Sequence, residues 1–95
     1  MRISYDSGKN ARNIAERGLS FERAADFAWG TASIAEGDRK DYPEGRFVAV
    51  GYLDGRLHVL CFTPRSGGIR VISFRKANER ERKRYEETTQ TPDRP

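Results

Sequence analysis

The stretch RFVAVGYLDGRLHVLCFTPRSGGIRVISFR, residues 46–75, decides the fold. The pair Asp54-Gly55 separates two runs rich in β-branched and aromatic residues, which is the pattern of a two-residue hairpin turn. Residues 46–52 and 56–63 are therefore predicted to be antiparallel strands. Residues 64–68 are predicted to form a second turn, and residues 69–75 a third strand. The central part of the chain is thus predicted to be an antiparallel β-meander.

The hairpin also predicts which residues share a face of the sheet. Strand alternation places one apolar set on one face and a second apolar set on the other. The first set is Val48, Val50, Tyr52, Leu57, Val59 and Cys61, and the second is Phe47, Ala49, Leu60 and Phe62. Helices can cover one of these faces, so the other is a candidate partner surface.

The segments that flank the meander alternate between strand and helix patterns. A short strand is predicted over residues 2–5, helices over about 9–17 and 21–29, a weak strand over 31–36 and a polar loop over 37–45. After the meander, Asn78 and Glu81 match a capping box at the start of a helix over about 79–87. The predicted fold class is α+β, an antiparallel β-meander sheet with helices packed on one face.

Composition bounds the class of protein. A chain of 95 residues is one small domain, predicted over residues 1–87 with a flexible polar tail over 88–95, and is too short for an α/β barrel. A single cysteine and a single histidine exclude an internal disulfide and a structural zinc site. No apolar run approaches the roughly 20 residues of a membrane helix. We expect a cytoplasmic protein with no membrane association, metal or other cofactor.

The net charge of +4 is unevenly distributed along the chain. Residues 1–64 are neutral overall, with nine basic and nine acidic side chains. Residues 65–84 carry eight basic side chains against two acidic ones, a net charge of +6, and residues 85–95 carry −2. Positive charge concentrated in this way indicates a polyanionic partner, nucleic acid before a lipid surface.

Four arginines in or beside the meander are candidate phosphate ligands, namely Arg46, Arg65, Arg70 and Arg75. Because Arg70 and Arg75 are five positions apart, a straight strand directs them to opposite faces. If the second turn pairs residue 62 with residue 69, Cys61 faces Arg70 and Arg46 lies diagonally across from it. The alternative is that Arg70 and Arg75 extend around the sheet edge and pair with carboxylates.

Other candidate groups give weaker signals. His58 is a possible general base, but no carboxylate or nucleophile lies beside it in sequence, so a packing role is favoured. Cys61 is predicted to be an inert core thiol. Residues 38–45 carry alternating charges and are predicted to be an exposed loop. Lys9 and Asn13 are possible phosphate contacts on the first helix. The sequence contains no P-loop or dinucleotide-binding motif.

Several of these blocks resemble one family across about residues 3–86. They are Tyr5-Asp6 with Lys9 and Asn13, residues 17–22 (RGLSFE), residues 38–46 with Asp38, Arg39, Tyr42, Glu44 and Arg46, and residues 69–78 (IRVISFRKAN) leading to Glu81 and Tyr85. The sequence resembles the BrnT toxins of bacterial type II toxin–antitoxin systems, which have a RelE-like two-layer ribonuclease fold. One departure is Arg17, where many members carry histidine, so no role for that histidine is transferred.

The resemblance implies a toxin that cleaves mRNA and arrests growth. It implies neutralisation by a BrnA-like ribbon-helix-helix antitoxin in a heterotetramer, which represses its own operon through operator DNA bound by the antitoxin. On this basis the candidate catalytic residues are Arg46, Arg65, Arg70, Arg75 and Tyr85, and the candidate RNA-binding residues are Lys9, Asn13, Lys76 and Arg80. Tyr85 or His58 would transfer protons, with no metal involved. The alternative function is a non-enzymatic nucleic-acid-binding or regulatory partner module.

Overall fold

The meander predicted from Asp54-Gly55 forms the centre of a five-stranded sheet. In the computed structural model, which describes residues 1–37 and 45–89, Asp54 and Gly55 have φ angles of 53° and 76°, as a tight hairpin turn requires. The elements in chain order are β1 (Arg2–Tyr5), α1 (Ser7–Arg17), 3₁₀ turns over Phe21–Asp26 and Trp29–Thr31, β2 (Ser33–Glu36), β3 (Phe47–Leu53), β4 (Arg56–Arg65), β5 (Gly68–Lys76) and α2 (Glu79–Thr89).

The sheet is mixed, which corrects the prediction of a purely antiparallel meander. The strand order is β1-β5-β4-β3-β2, and β1 runs parallel to β5 while the other neighbours are antiparallel. Ile3 lies opposite Ile69 and Ser4 opposite Arg70. Parallel strands are joined by a long crossover and not by a short turn with a characteristic sequence. Nothing local in the sequence therefore indicates this pairing.

One face of the sheet packs against the segment that follows α1. Phe21, Ala24 and Phe27 are buried against strand residues that include Leu60 and Phe74. The predicted second helix is replaced by two short 3₁₀ turns, Phe21–Asp26 and Trp29–Thr31. Phe27 leaves the first turn in an extended conformation, and the indole N–H of Trp29 donates to the Ala24 carbonyl at 3.1 Å. This tight path brings bulky side chains down onto the sheet.

Helix α1 lies along the free edge of β5. Its apolar residues Ala11, Ile14 and Ala15 are exposed, and the residue it buries is Asn13. The Asn13 amide donates to the carbonyls of Leu19 at 2.9 Å and Phe74 at 3.0 Å. Because β1 pairs only with residues 68–71, the Phe74 carbonyl needs a donor from elsewhere, and α1 supplies it.

Helix α2 packs on the opposite face of the sheet. The prediction that all helices pack on one face is therefore wrong. The rings of Tyr52 and Tyr85 meet edge to face at 5.6 Å. The capping box is confirmed, because Glu81 N–H donates to Asn78 Oδ1 and Asn78 N–H donates to Glu81 Oε1, both at 2.8 Å. None of the helices in the described residues has the length and hydropathy needed to cross a membrane.

Two predicted segments fall wholly or partly outside the described residues. They are the polar loop, of which residues 38–44 are not described, and the tail, of which residues 90–95 are not described. The helix predicted to end at residue 87 continues to Thr89.

Candidate functional site

A β-bulge in β5 determines where the candidate arginines lie. Phe62 is opposite Val71 and Cys61 is opposite Ser73, so Ile72 is an extra residue with no partner on β4. Arg70 therefore pairs with Thr63 and Arg75 with Val59. Thr63 and Val59 are four residues apart on β4 and share a face, so their partners share it too. The prediction that Arg70 and Arg75 point to opposite faces is wrong, because it assumed an uninterrupted strand.

All four candidate arginines lie on the face opposite the aromatic core. We call this surface the arginine face and define it by Arg46, Arg65, Arg70 and Arg75. The Arg46 guanidinium lies 3.8 Å from the Cys61 sulfur, and Arg65 Nη1 donates to Thr63 Oγ1 at 3.0 Å. The predicted register is also wrong, because Thr63 and not Cys61 faces Arg70. Thr63 is only 2% exposed, and its role between these cations was missed by sequence reasoning.

Arg70 carries a guanidinium that forms no hydrogen bond or ion pair with the described residues. The residue is partly buried. Its cross-strand neighbours on this face, Thr63 and Ser4, are neutral. The nearby Asp6 is the α1 N-cap, and the Lys9 amide hydrogen bond is the main reason that its pKa is lowered, with a smaller contribution from the Arg70 charge. A guanidinium that no carboxylate binds directly, with other cations on the same face, suits an anionic ligand.

Arg75 is bound by a carboxylate. Its two terminal nitrogens donate to the two carboxylate oxygens of Glu81 at 2.9 and 2.8 Å. These hydrogen bonds are the main reason that the pKa of Glu81 is lowered. The same carboxylate caps α2, so one contact fixes both the arginine and the helix. The alternative that Arg75 pairs with a carboxylate is confirmed, although the capping-box pattern identified Glu81 only as a helix cap.

The two candidate proton-transfer groups lie on different faces of the sheet. Tyr85, on α2, is 7% exposed and its hydroxyl donates to the Thr31 carbonyl at 2.8 Å. His58 is on the core face, where its ring packs edge to face on Phe74 and its Nδ1 lies 2.7 Å from the Arg56 carbonyl. The sheet therefore separates His58 from the arginine face.

The four predicted RNA-binding residues are dispersed. Lys9 is exposed on α1, Lys76 ends β5 on the core side, and Arg80 is exposed in the first turn of α2. Asn13 is 6% exposed and has both amide hydrogens donated to backbone carbonyls, while its oxygen accepts from Arg17 at 2.9 Å. Asn13 therefore has a structural role within the fold, and its contact with RNA stays a prediction.

Cys61 is buried, as predicted, although it belongs to the arginine face and not to the aromatic core. Within residues 1–37 and 45–89, no three His, Cys, Asp or Glu side chains come together as a metal-ligand set. The acidic residues of the predicted loop, Asp38, Asp41 and Glu44, lie outside the described residues.

Comparison with known proteins identifies the family. A family model described as the ribonuclease toxin BrnT of type II toxin–antitoxin systems matches residues 5–81. The search of curated proteins finds no match to the sequence. The matched segment contains the β5 bulge, all four arginines of the arginine face and Glu81. The chain therefore belongs to the BrnT family of ribonuclease toxins of type II toxin–antitoxin systems.

Proposed function

We propose that this chain is an endoribonuclease toxin that cleaves mRNA without a metal ion, with its active site on the arginine face. One observation carries the proposal. The bulge at Ile72 brings Arg70 and Arg75 to the same face as Arg46 and Arg65, and the guanidinium of Arg70 forms no hydrogen bond or ion pair with the described residues. We also propose that the fold is RelE-like, and the observed α+β architecture is compatible with this.

The chemistry that suits this surface is attack of an RNA 2′-OH on the adjacent phosphate. The 2′-oxygen bonds to phosphorus and the 5′-oxygen leaves, which yields a 2′,3′-cyclic phosphate and a 5′-hydroxyl. Negative charge builds on the non-bridging oxygens in the transition state. A guanidinium already held in position stabilises that charge, and loss of one such donor typically costs about 10²–10³ in rate. Arg70 is proposed as this donor, with Arg46 and Arg65 binding the phosphates.

Arg75 and Tyr85 have secondary roles in this proposal. The Glu81 carboxylate already compensates Arg75, which therefore contributes less to RNA than Arg70 does. Tyr85 contacts Tyr52 on the arginine-face side and is the proposed proton-transfer group there. To act, its hydroxyl must release the Thr31 carbonyl. His58 is the less suitable candidate because it lies on the core face.

The same face is the proposed docking surface of the antitoxin. Membership of a type II family implies an antitoxin partner. We expect a BrnA-like ribbon-helix-helix protein that covers the arginine face in a heterotetramer and contacts operator DNA, so that the complex represses its operon in the cytoplasm. An acidic segment of the antitoxin bound at Arg70 would occupy the proposed binding site of the RNA phosphate.

The first experiment measures RNA cleavage by the purified chain in EDTA, together with growth arrest on expression of the chain alone. The wild type and Arg84→Ala, which removes an exposed cation from α2, are expected to cleave RNA at similar rates. Arg70→Ala is expected to cleave at least about 10²-fold more slowly and to relieve growth arrest.

Three outcomes contradict the proposal at different points. Strict dependence on added Mg²⁺ overturns the metal-free mechanism. Full activity of Arg70→Ala overturns the arginine-face site. Binding of RNA without cleavage favours the non-enzymatic module instead.

A further inference from the structure

A cavity lies on the core side of the sheet, and Arg75 of the arginine face also lines it. Its volume is about 700 Å³, within the range of small-molecule sites. The residues after α1 form one wall, the end of the β3–β4 hairpin forms another, and His58 and Lys76 belong to the strands that lie between them. We call this cavity the α1 cleft. Its principal polar lining residues are Glu16, Arg17, Arg23, Asp54, Arg56, His58 and Lys76.

The charge of the α1 cleft is positive. Asp54 is compensated by Arg23, whose Nη2 lies 2.9 and 3.0 Å from the two carboxylate oxygens. In the described part of the chain, the side chains of Arg56 and Lys76 form no ion pair. Although the Glu16 carboxylate also lines the cleft, basic side chains outnumber acidic ones there, and two cations without an ion pair favour an anionic ligand.

His58 adds a directed polar atom to the α1 cleft. The residue is 5% exposed, and its Nδ1 lies 2.7 Å from the Arg56 carbonyl. A carbonyl oxygen only accepts hydrogen bonds, so Nδ1 carries the proton and Nε2 of the neutral ring is an acceptor. Among the described residues, Nε2 has no hydrogen-bond partner. An accessible acceptor of this kind on a largely buried ring suits a ligand N–H or hydroxyl group.

We propose that the α1 cleft binds a nucleotide. Arg56 and Lys76 bind its phosphate, and His58 Nε2 accepts a hydrogen bond from its sugar or base. The nucleotide is either a free mononucleotide or a residue of the RNA substrate next to the cleavage site. The second source rests on the proposed function. It is geometrically reasonable because Arg75 belongs to both surfaces, and Arg70 and Lys76 are about 20 Å apart along β5.

The experiment uses His58 as a reporter, because the chain has a single histidine. Protein labelled with ¹⁵N at histidine is titrated with adenosine 5′-monophosphate and, separately, with a fully 2′-O-methylated RNA that cannot be cleaved by 2′-OH attack. We expect a saturable shift of the His58 Nε2 resonance. Arg56→Gln is expected to weaken binding about tenfold or more, through loss of a charge-assisted hydrogen bond. The control Arg84→Gln, an exposed cation outside the cleft, is expected to bind like the wild type.

The two ligands separate the two sources. A response to the mononucleotide alone supports a site for free nucleotide, and a response to the RNA alone supports a subsite of the substrate. An Nε2 resonance that neither ligand moves overturns the proposal, as does equal weakening in Arg56→Gln and Arg84→Gln. Because the methylated RNA is not cleaved, this result is independent of whether the arginine face catalyses cleavage.

Discussion

The two ends of β5 carry the same type of side chain, an arginine, in different electrostatic environments. Arg70, near the start of the strand, has a guanidinium with no partner among the described residues. Arg75, near its end, is held by both oxygens of Glu81. The net charge of +6 over residues 65–84 therefore overstates the charge that RNA can use. The position of an arginine in the sequence does not show whether its charge is available to a ligand.

The neighbours of each arginine explain the difference. The start of α2 places a capping carboxylate at the end of β5, where it compensates Arg75. At the other end, the cross-strand neighbours Thr63 and Ser4 are neutral, and Asp6 interacts with Arg70 through its charge without forming an ion pair. We infer that the Arg70 end supplies the catalytic charge and that the Arg75 end mainly anchors α2 to the sheet.

The largest effect is expected from giving Arg70 a partner. Ser4 lies beside Arg70 in the parallel pair, so Ser4→Glu places a carboxylate next to that guanidinium. We predict a fall in the RNA cleavage rate of about 10²-fold, because the compensated cation no longer stabilises the transition state. Ser4→Gln is the matched control, since glutamine has nearly the same shape as glutamate but carries no charge. Equal activity of the two variants would show that Arg70 need not be uncompensated.

A smaller effect is expected from the reverse change, which removes the partner of Arg75. In Glu81→Gln the guanidinium loses its counter-charge, so RNA affinity should rise several-fold. The free energy of unfolding should fall by about 1 kcal/mol, because the pair is partly exposed and solvent screens it. Filter binding and urea unfolding measure the two quantities. Unchanged affinity together with reduced stability would mean that RNA does not reach the Arg75 end.

The smallest effect is the pH dependence of the Arg75–Glu81 pair. The pKa of Glu81 is lowered in the folded state, mainly by its hydrogen bonds with Arg75. The pair therefore contributes its full stability above the unfolded pKa of about 4.3, and this contribution is lost as the pH falls through the folded value. Urea unfolding at pH 7 and pH 3 should show that the wild type and Glu81→Gln converge in stability at low pH. A constant difference between them would contradict this linkage.

Local chemistry made part of the fold predictable from the sequence. Asp54-Gly55 set the hairpin and its register, and Asn78 with Glu81 set the start of α2. The pairing of β1 with β5 was not predictable, because its partners are far apart in sequence and share no turn. The prediction of a helix over residues 21–29 was wrong, because this segment forms tighter 3₁₀ turns that bury Phe21 and Phe27.

The candidate site was predictable in residue type but not in arrangement. The four arginines are predictable as phosphate ligands because guanidinium groups match phosphate, while their common face depends on one extra residue, Ile72. No local pattern distinguishes that bulge from a regular strand. The hydrogen bonds of Asn13 to the carbonyls of Leu19 and the distant Phe74 could not be predicted, because tertiary packing sets them.

The most direct test of the central claim compares Arg70→Ala and Arg75→Ala in single-turnover RNA cleavage at saturating protein in EDTA. Circular dichroism confirms that both variants are folded. We predict that Arg70→Ala loses about 10²-fold or more in rate, while Arg75→Ala loses about tenfold, because only the uncompensated cation is available to the scissile phosphate. Equal losses, or a larger loss in Arg75→Ala, would contradict the assignment of the catalytic charge to the Arg70 end of β5.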